Sequence, residues 1–168
     1  MQDGVKMVPY PPAQQVDVVI SSMEKEFDAI LRLRPREYVI GMGCRKGKEV
    51  EKIEAFIQKS MEEIGITGAQ VAALSSVDVK CAEPGLLAWS TKEQVPFLTY
   101  SAEELQRVKG DFQKSDFVKK QVGVDNVCER AALRAAGTDG RLIYGKHAKD
   151  GMTIAIAKKE WRVKLEET

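Results

Sequence analysis

The sequence lacks a surplus of either charge. Its 168 residues include 26 lysines and arginines against 25 aspartates and glutamates, which gives a formal net charge of +1. A balance this close creates no overall field that would attract nucleic acid or an anionic membrane surface. We therefore expect neither kind of partner, and a site for an anion must arise from a local cluster of cations.

Cysteine is scarce, and long apolar runs are missing. Cys44, Cys81 and Cys128 are odd in number, far apart and never in a C-x-x-C pair, which argues against a disulfide framework and a structural zinc site. No apolar run approaches membrane-spanning length, and the polar N-terminus lacks the apolar segment of a signal peptide. The expected location is a reducing cytoplasm.

A strand, a glycine-rich turn and a helix follow one another between residues 38 and 64. Residues 38–48 read YVIGMGCRKGK, and the helix expected at about 49–64 has its apolar side chains on one stripe. Free amides at the helix start, beside Arg45, Lys46 and Lys48, favour a carboxylate or phosphate. The turn is not a full dinucleotide or phosphate-loop signature, so an ordinary turn with solvated cations is an equal alternative.

A second polar segment follows another predicted strand. Residues 71–77 are apolar and of strand length, and Asp78–Glu83 comes directly after them. Pro84 suits the first turn of a short helix that ends near residue 92. Since ligands in open α/β sheets bind beyond the carboxyl ends of the strands, this segment and the glycine-rich turn converge if their strands are neighbours.

The remaining patterns predict alternating helices and strands. Three predicted helices begin after capping residues, namely Ser101 to Glu104 for a helix to about 108, Ser115 for 116–122, and Asp125 for 126–136. Three predicted strands are 95–100, 141–144 and 152–158, the last two joined by a loop at 145–151 that contains the turn pair Asp150-Gly151. The fold expected is a layered α/β/α domain with a mixed sheet of about five strands, the last two antiparallel.

The N-terminal segment differs from this pattern. Prolines interrupt its start, residues 16–20 form an isolated strand-like run, and residues 22–33 predict a short helix closed by Pro35. We interpret residues 1–35 as a linker or the tail of an absent N-terminal region. Residues 36–160 then form the domain, and residues 161–168 form a C-terminal tail.

Four segments, taken in order, resemble one family. They are GMGCRKG at 41–47, DVK at 78–80 with EPGL at 83–86, GVDNVCERAA at 123–132, and Lys146 with DGMTIA at 150–155. Together they resemble the C-terminal domain of the cobalamin biosynthesis protein CbiG, cobalt-precorrin-5A hydrolase, which is similar to the stand-alone protein CobE. The resemblance covers about residues 36–160, and the larger N-terminal part of the family's full chain is missing.

The resemblance implies a hydrolase that opens the δ-lactone of cobalt-precorrin-5A, releases acetaldehyde and gives cobalt-precorrin-5B. It implies no resident cofactor, because the substrate carries the cobalt. The implied partners are this tetrapyrrole intermediate, the N-terminal and central regions of the full CbiG protein, and other corrin-pathway enzymes. One alternative is a non-catalytic module that binds or hands over the corrinoid intermediate. Another is an unrelated α/β enzyme whose glycine loop binds phosphate.

Hydrolysis of a lactone needs a base, donors for the oxyanion and an acid for the leaving alkoxide. Glu83 and Asp78 are the candidate base or acid, although either carboxylate is equally suited to cap the helix at Pro84. Lys80 is a candidate for stabilising the oxyanion or holding a substrate carboxylate. Amides near Gly43 and Cys44 are candidates for an oxyanion hole.

The candidate substrate-binding residues are Gly41, Gly43, Cys44, Arg45, Lys46, Ser115 and Lys146. Cys44 is also a candidate nucleophile, because neighbouring cations and a helix start lower a thiol pKa, although a small buried cysteine is the more usual role. Ser115 is equally explained as a helix cap. His147, the only histidine, is expected on an exposed loop, and binding of the substrate's cobalt by this residue is a weak alternative.

Overall fold

The computed structural model describes residues 5–22, 28–110 and 126–162. Its strands are β1 (Val16–Ile20), β2 (Ala29–Leu33), β3 (Tyr38–Cys44), β4 (Val71–Val77), β5 (Phe97–Tyr100), β6 (Arg141–Lys149) and β7 (Met152–Lys158). Its α-helices are α1 (Val50–Glu63), α2 (Pro84–Glu93), α3 (Ala102–Gln106) and α4 (Val127–Ala136), and short 3₁₀ helices occupy Gly68–Gln70 and Asp78–Lys80.

The main sheet has the strand order β5-β4-β3-β7-β6. Strands β3, β4 and β5 are parallel, whereas β7 is antiparallel to both β3 and β6. One core cluster joins the sheet to α1 and α2, and a separate cluster joins it to α4. This arrangement confirms the predicted layered α/β class, the mixed sheet of five strands and the antiparallel final pair.

The alternation of side chains along β3 assigns its two faces. Ile40 and Met42 belong to the cluster that includes α1 and α2, while Val39 belongs to the cluster that includes α4. Gly41 faces α4 at very close range, because a Cβ at this position would overlap the Cys128 carbonyl oxygen. Glycine is therefore required for the packing of α4 against the sheet.

The helix predicted at residues 22–33 is wrong in its second half. Residues 29–33 form β2, which pairs in parallel with β1 from Val16↔Ala29 to Ile20↔Leu33. The spacing of Ile30 and Leu31 allows either structure, but pairing with β1 satisfies backbone groups of both strands. Residues 23–27 of that predicted helix lie outside the described residues, and the domain boundaries stay predictions.

The hairpin between β6 and β7 is tighter than predicted. Residues 145–149 continue β6 instead of forming a loop, and the turn consists of Asp150 and Gly151, with φ of 50° and 74°. Positive φ at both central residues is what a two-residue type I′ hairpin requires. The register skips a residue between Tyr144 and His147, so β6 bulges at Gly145 and Lys146.

The cap of α4 also differs from the prediction. Asn126, not Asp125, is the N-cap residue, with a φ of 48° and a side-chain oxygen that accepts from Glu129 N. Asparagine tolerates this left-handed conformation better than most residues do, which accounts for the one-residue shift. The helix predicted at 116–122, its cap Ser115 and Asp125 itself lie outside the described residues.

A buried carboxylate joins both flanking segments to the start of β3. Glu37 accepts hydrogen bonds from Ser22 Oγ and Trp161 Nε1, and its Oε1 lies 3.4 Å from Lys158 Nζ. Gln70 Nε2 adds a bond of 2.7 Å to the Ser22 carbonyl.

Within the described ranges, no helix is both long and apolar enough to cross a membrane.

We expect Gly41→Ala to lower the free energy of unfolding by about 2 to 3 kcal/mol, because the new methyl group forces α4 away from β3. The nearest atoms are backbone, including Ala132 N at 2.8 Å from the added Cβ. Gly68→Ala is the control, since its methyl group meets only the movable Glu93 carboxylate, and it should cost less than about 1 kcal/mol. Urea unfolding measures both changes, and equal losses would contradict this account of the packing.

Candidate functional site

A cleft of about 1350 Å³ lies at the edge of the sheet where β3 and β4 end. Four parts of the chain form its walls: the β3–α1 loop at 43–47, the β4–α2 segment, the start of α4, and the β6–β7 hairpin. Neighbouring parallel strands bring the first two walls together. The antiparallel β7 brings the hairpin to the same edge, because Met152 pairs with Cys44.

Glu83 is a buried carboxylate in the wall of this cleft. Its Oε1 accepts a hydrogen bond of 2.8 Å from Gly47 N, and its Oε2 lies 3.8 Å from Lys80 Nζ. Glu83 occupies the position before Pro84 at the start of α2, yet its side chain makes no capping bond there. The carboxylate instead crosses to the glycine-rich turn, so helix capping does not explain it.

The cleft concentrates positive charge. Among the residues that the structure describes, its lining includes five cationic residues, Arg45, Lys46, Lys80, Lys146 and Lys149, and two acidic ones, Glu83 and Asp150. Five against two leaves an excess of three positive charges, whereas the whole chain carries +1. Apolar residues also line the cleft, among them Val77, Val127 and Met152, and the lining residue Val79 is 67% exposed. Such a surface suits a large apolar ligand that bears several carboxylates.

The hairpin turn is fixed to the glycine-rich loop by polar contacts. Arg45 N donates to the Gly151 carbonyl at 3.0 Å, and Lys48 Nζ donates to the Asp150 carbonyl at 2.6 Å. The Arg45 side chain lies across Gly151, where a Cβ would come within 2.8 Å of Arg45 Cδ. Lys48 therefore holds the hairpin turn in place and is not one of the cationic residues that line the cleft.

A second buried carboxylate, Glu129, reaches the opposite wall from the first turn of α4. Its Oε1 accepts from Lys146 N at 2.8 Å, and its Oε2 accepts from Asn126 Nδ2. An acidic residue near a helix start is ordinarily favourable by itself, so the sequence did not single out Glu129. A signal was present, because Glu129 precedes the buried Ala132 and Ala136 by three and seven residues, which places it on the buried face.

Cys44 does not have the lowered pKa that the sequence suggested for it. Burial raises the pKa of Cys44, and this effect outweighs the attraction of the thiolate to Lys80. The helix start is also too distant to help, since α1 begins only at Val50. Burial raises the pKa of Cys128 to about 12.

The structure brings together seven of the sequence-predicted site residues at the cleft: Gly43, Cys44, Arg45, Lys46, Lys80, Glu83 and Lys146. Gly41 is instead buried against α4, and Asp78 is exposed at the start of a 3₁₀ helix, outside the lining. Ser115 lies outside the described residues.

His147 lies outside the cleft lining, and the loop predicted for it is strand β6. It is exposed, and its ring stacks on Tyr144 with centroids 4.0 Å apart. In the described part of the chain, no three His, Cys, Asp or Glu side chains group so as to hold a metal ion.

Comparison with known proteins identifies related chains. Cobalt-precorrin-5A hydrolase of Priestia megaterium is 34% identical over 150 residues, which cover 87% of this chain and 40% of the relative. Protein CobE of a Sinorhizobium species is 28% identical over 120 residues, which cover 71% of this chain and 78% of CobE. The chain thus spans less than half of the hydrolase relative but most of CobE.

A crystal structure of CobE, described as a protein of the cobalamin biosynthetic pathway, has the same fold. Its TM-score is 0.67 at 29% identity, and the superposition covers 72% of this chain and 89% of CobE. The family model described as Cobalamin synthesis G C-terminus matches residues 38–157. Those residues include the whole main sheet except the last residue of β7. The chain belongs to this family of cobalamin synthesis G C-terminal domains.

Proposed function

We propose that this chain is the domain of a cobalt-precorrin-5A hydrolase that binds the substrate's carboxylates and takes part in opening its δ-lactone. The products would be cobalt-precorrin-5B and acetaldehyde. The relationship to a named hydrolase supports the reaction, and the cationic cleft around Glu83 supports the substrate class. Because the chain spans 40% of that relative, the proposal includes the N-terminal and central regions of the full protein as partners.

The substrate class matches the residues that line the cleft. A corrin-type ring offers a broad apolar face and many peripheral carboxylates, and the lining includes apolar residues together with Arg45, Lys46, Lys146 and Lys149. In this proposal the arginine and lysines bind carboxylates while the ring contacts the apolar residues. Cobalt enters with the substrate, and the proposal assigns the protein no resident cofactor.

Glu83 and Lys80 are the residues that we assign to the chemistry. Glu83 takes a proton from water, whose oxygen attacks the lactone carbonyl carbon, and Lys80 stabilises the oxyanion that forms. The ring carbon–oxygen bond then breaks, and Glu83 returns the proton to the leaving alkoxide, which gives the ring-opened hydroxy acid. Acetaldehyde leaves in a further step, in which this hydroxyl loses its proton, the bond between its carbon and the macrocycle breaks, and the electron pair and a proton go to the macrocycle. The contact of 2.8 Å from Gly47 N orients Glu83 in the cleft wall. Asp78 has no part in this scheme, because it lies outside the lining.

A non-catalytic module that binds or hands over the intermediate is the second candidate. One observation favours it: the chain covers 78% of CobE and 40% of the hydrolase relative. The same cleft serves this function, but Glu83 and Lys80 would then only hold the ligand.

Acetaldehyde release separates the two functions. Under the hydrolase proposal, the chain combined with the N-terminal part of the full protein converts cobalt-precorrin-5A and releases acetaldehyde. The chain alone binds the intermediate, because the cationic cleft lies within it. A coupled alcohol dehydrogenase assay measures acetaldehyde, and absorption changes measure binding. Binding without acetaldehyde in either preparation would establish the carrier function, and absence of binding would overturn both.

Substitutions at Glu83 and Lys80 should affect the reaction in different ways. Glu83→Gln keeps an oxygen that accepts from Gly47 N but cannot take a proton, so turnover should fall by about 10²-fold or more with binding nearly unchanged. Lys80→Ala should weaken both binding and turnover. His147→Ala is the control, since His147 lies outside the cleft lining, and it should match the parent chain. Equal turnover in all three variants would contradict the assignment.

Alkylation should reveal the order in which the three thiols react. Near neutral pH, the raised pKa values keep Cys44 and Cys128 protonated, while Cys81 is exposed. Since the thiolate is the reactive form, iodoacetamide should label Cys81 first, Cys44 more slowly, and Cys128 only after unfolding. Mass spectrometry measures the labelling. Cys44→Ser should retain turnover, and loss of all turnover in this variant would make Cys44 a nucleophile.

A further inference from the structure

The contact between Glu129 and the Lys146 amide connects the core to the rim of the cleft. Glu129 is only 3% exposed, and its Oε1 lies 2.8 Å from Lys146 N. Gly145 lies beside this carboxylate, because a Cβ there would be in ordinary contact with the same oxygen at 3.4 Å. Lys146 lines the cleft, so the backbone of a lining residue is held by Glu129, which does not line it.

The bulge in β6 explains why this amide needs a partner outside the sheet. Tyr144 pairs with Ile156 and His147 with Ile154, so the two residues Gly145 and Lys146 stand opposite Ala155 alone. A bulge leaves one residue without its ladder partner. The Glu129 carboxylate accepts from Lys146 N at this bulge.

We propose that Glu129 is a positioning residue that stabilises the Gly145–Lys146 bulge and thereby directs the Lys146 ammonium into the cleft. The inference rests on the proposed function, in which Lys146 binds a carboxylate of the substrate. Removal of the bulge would slip the register of β6 by one residue. Since neighbouring strand residues point to opposite faces, such a slip would turn Lys146 away from the ligand.

Glu129 acts on the ligand only through Lys146, and this makes the inference testable by a double-mutant cycle. The variants are Glu129→Ala, Lys146→Ala and the pair. The probe is uroporphyrin, a planar tetrapyrrole with eight carboxylates, and its fluorescence reports binding. Lys146→Ala should weaken binding by about fivefold, as expected for one partly exposed ion pair. Glu129→Ala should weaken it by a similar factor, and the double variant should be no weaker than Lys146→Ala alone.

Glu129→Gln is the conservative variant and Glu63→Gln is the matched control. The amide oxygen of glutamine still accepts from Lys146 N, so Glu129→Gln should bind the probe more tightly than Glu129→Ala. If the alanine variant does not fold, the comparison of Glu129→Gln with the parent chain still tests the inference. Glu63 also contacts β6, accepting from Tyr144 OH at 2.6 Å, and Tyr144 is the residue before the bulge. Glu63→Gln should bind the probe as the parent does.

Hydrogen exchange at the Lys146 amide tests the structural half of the inference without any ligand. The amide should be protected in the parent and in Glu63→Gln, and exchange should be faster in Glu129→Ala. Unchanged exchange in Glu129→Ala, or losses of binding that multiply in the double variant, would overturn the positioning role. Faster exchange in a chain that never binds uroporphyrin would overturn the proposed function and support the structural half.

Discussion

The close contact between α4 and β3 determines how the rest of this domain is arranged. It is possible only because Gly41 has no side chain at the point where the Cys128 carbonyl meets the strand. The same contact carries Val127 to the cleft and places Glu129 against the bulge of β6. The packing of α4 on β3 thus positions two walls of the cleft, namely the start of α4 and the β6 side of the hairpin. Gly41 does not line the cleft, but it permits this packing.

The direction of β7 is the second determinant of the cleft. Parallel strands β3 and β4 end at one edge of the sheet, and each is followed by a polar segment. An antiparallel β7 begins at that edge, so the Asp150-Gly151 turn reaches the glycine-rich loop and binds it through Arg45 N and Lys48 Nζ. Had β7 been parallel to β3, the turn would lie at the far edge. The mixed sheet therefore brings three of the four walls of the cleft to one edge, and the start of α4 supplies the fourth.

Local sequence patterns predicted the features that depend on nearby residues. The strand that begins at Tyr38, the helix after it, and the polar segment at 78–83 were all recognised from periodicity and from glycine and proline positions. The strand extends further than the pattern indicated, because Gly41 and Gly43 lie within β3 and not in the turn. Their convergence also follows from a general rule about parallel sheets, once β3 and β4 are neighbours. Residue types alone did not distinguish Asp78 from Glu83, because both are carboxylates after the same strand. The structure separates them, because Glu83 is buried in the cleft wall and accepts from Gly47 N, whereas Asp78 is exposed outside the lining.

Features that depend on distant partners escaped prediction. Residues 29–33 have spacing compatible with a helix, and pairing with β1 makes them a strand. The bulge at Gly145 is likewise set by register against β7 and by Glu129, which is 16 residues before Gly145 in the chain. Such contacts join segments that are distant in the chain, and the local pattern of one segment does not indicate which other segment it contacts. Local patterns therefore predict whether a segment is a helix or a strand, but they do not predict which strands pair.

The charge distribution favours a ligand with several carboxylates over a ligand with one anionic group. At physiological ionic strength, the screening length is about 8 Å, so cations spread over the whole surface would act separately. Here an excess of three positive charges lies within one cleft of a chain whose net charge is +1. Each partly exposed contact contributes only up to about 1 kcal/mol. A single phosphate engages few of these cations, whereas a ring with carboxylates around its edge engages several at once, and the apolar floor adds contact with the ring itself.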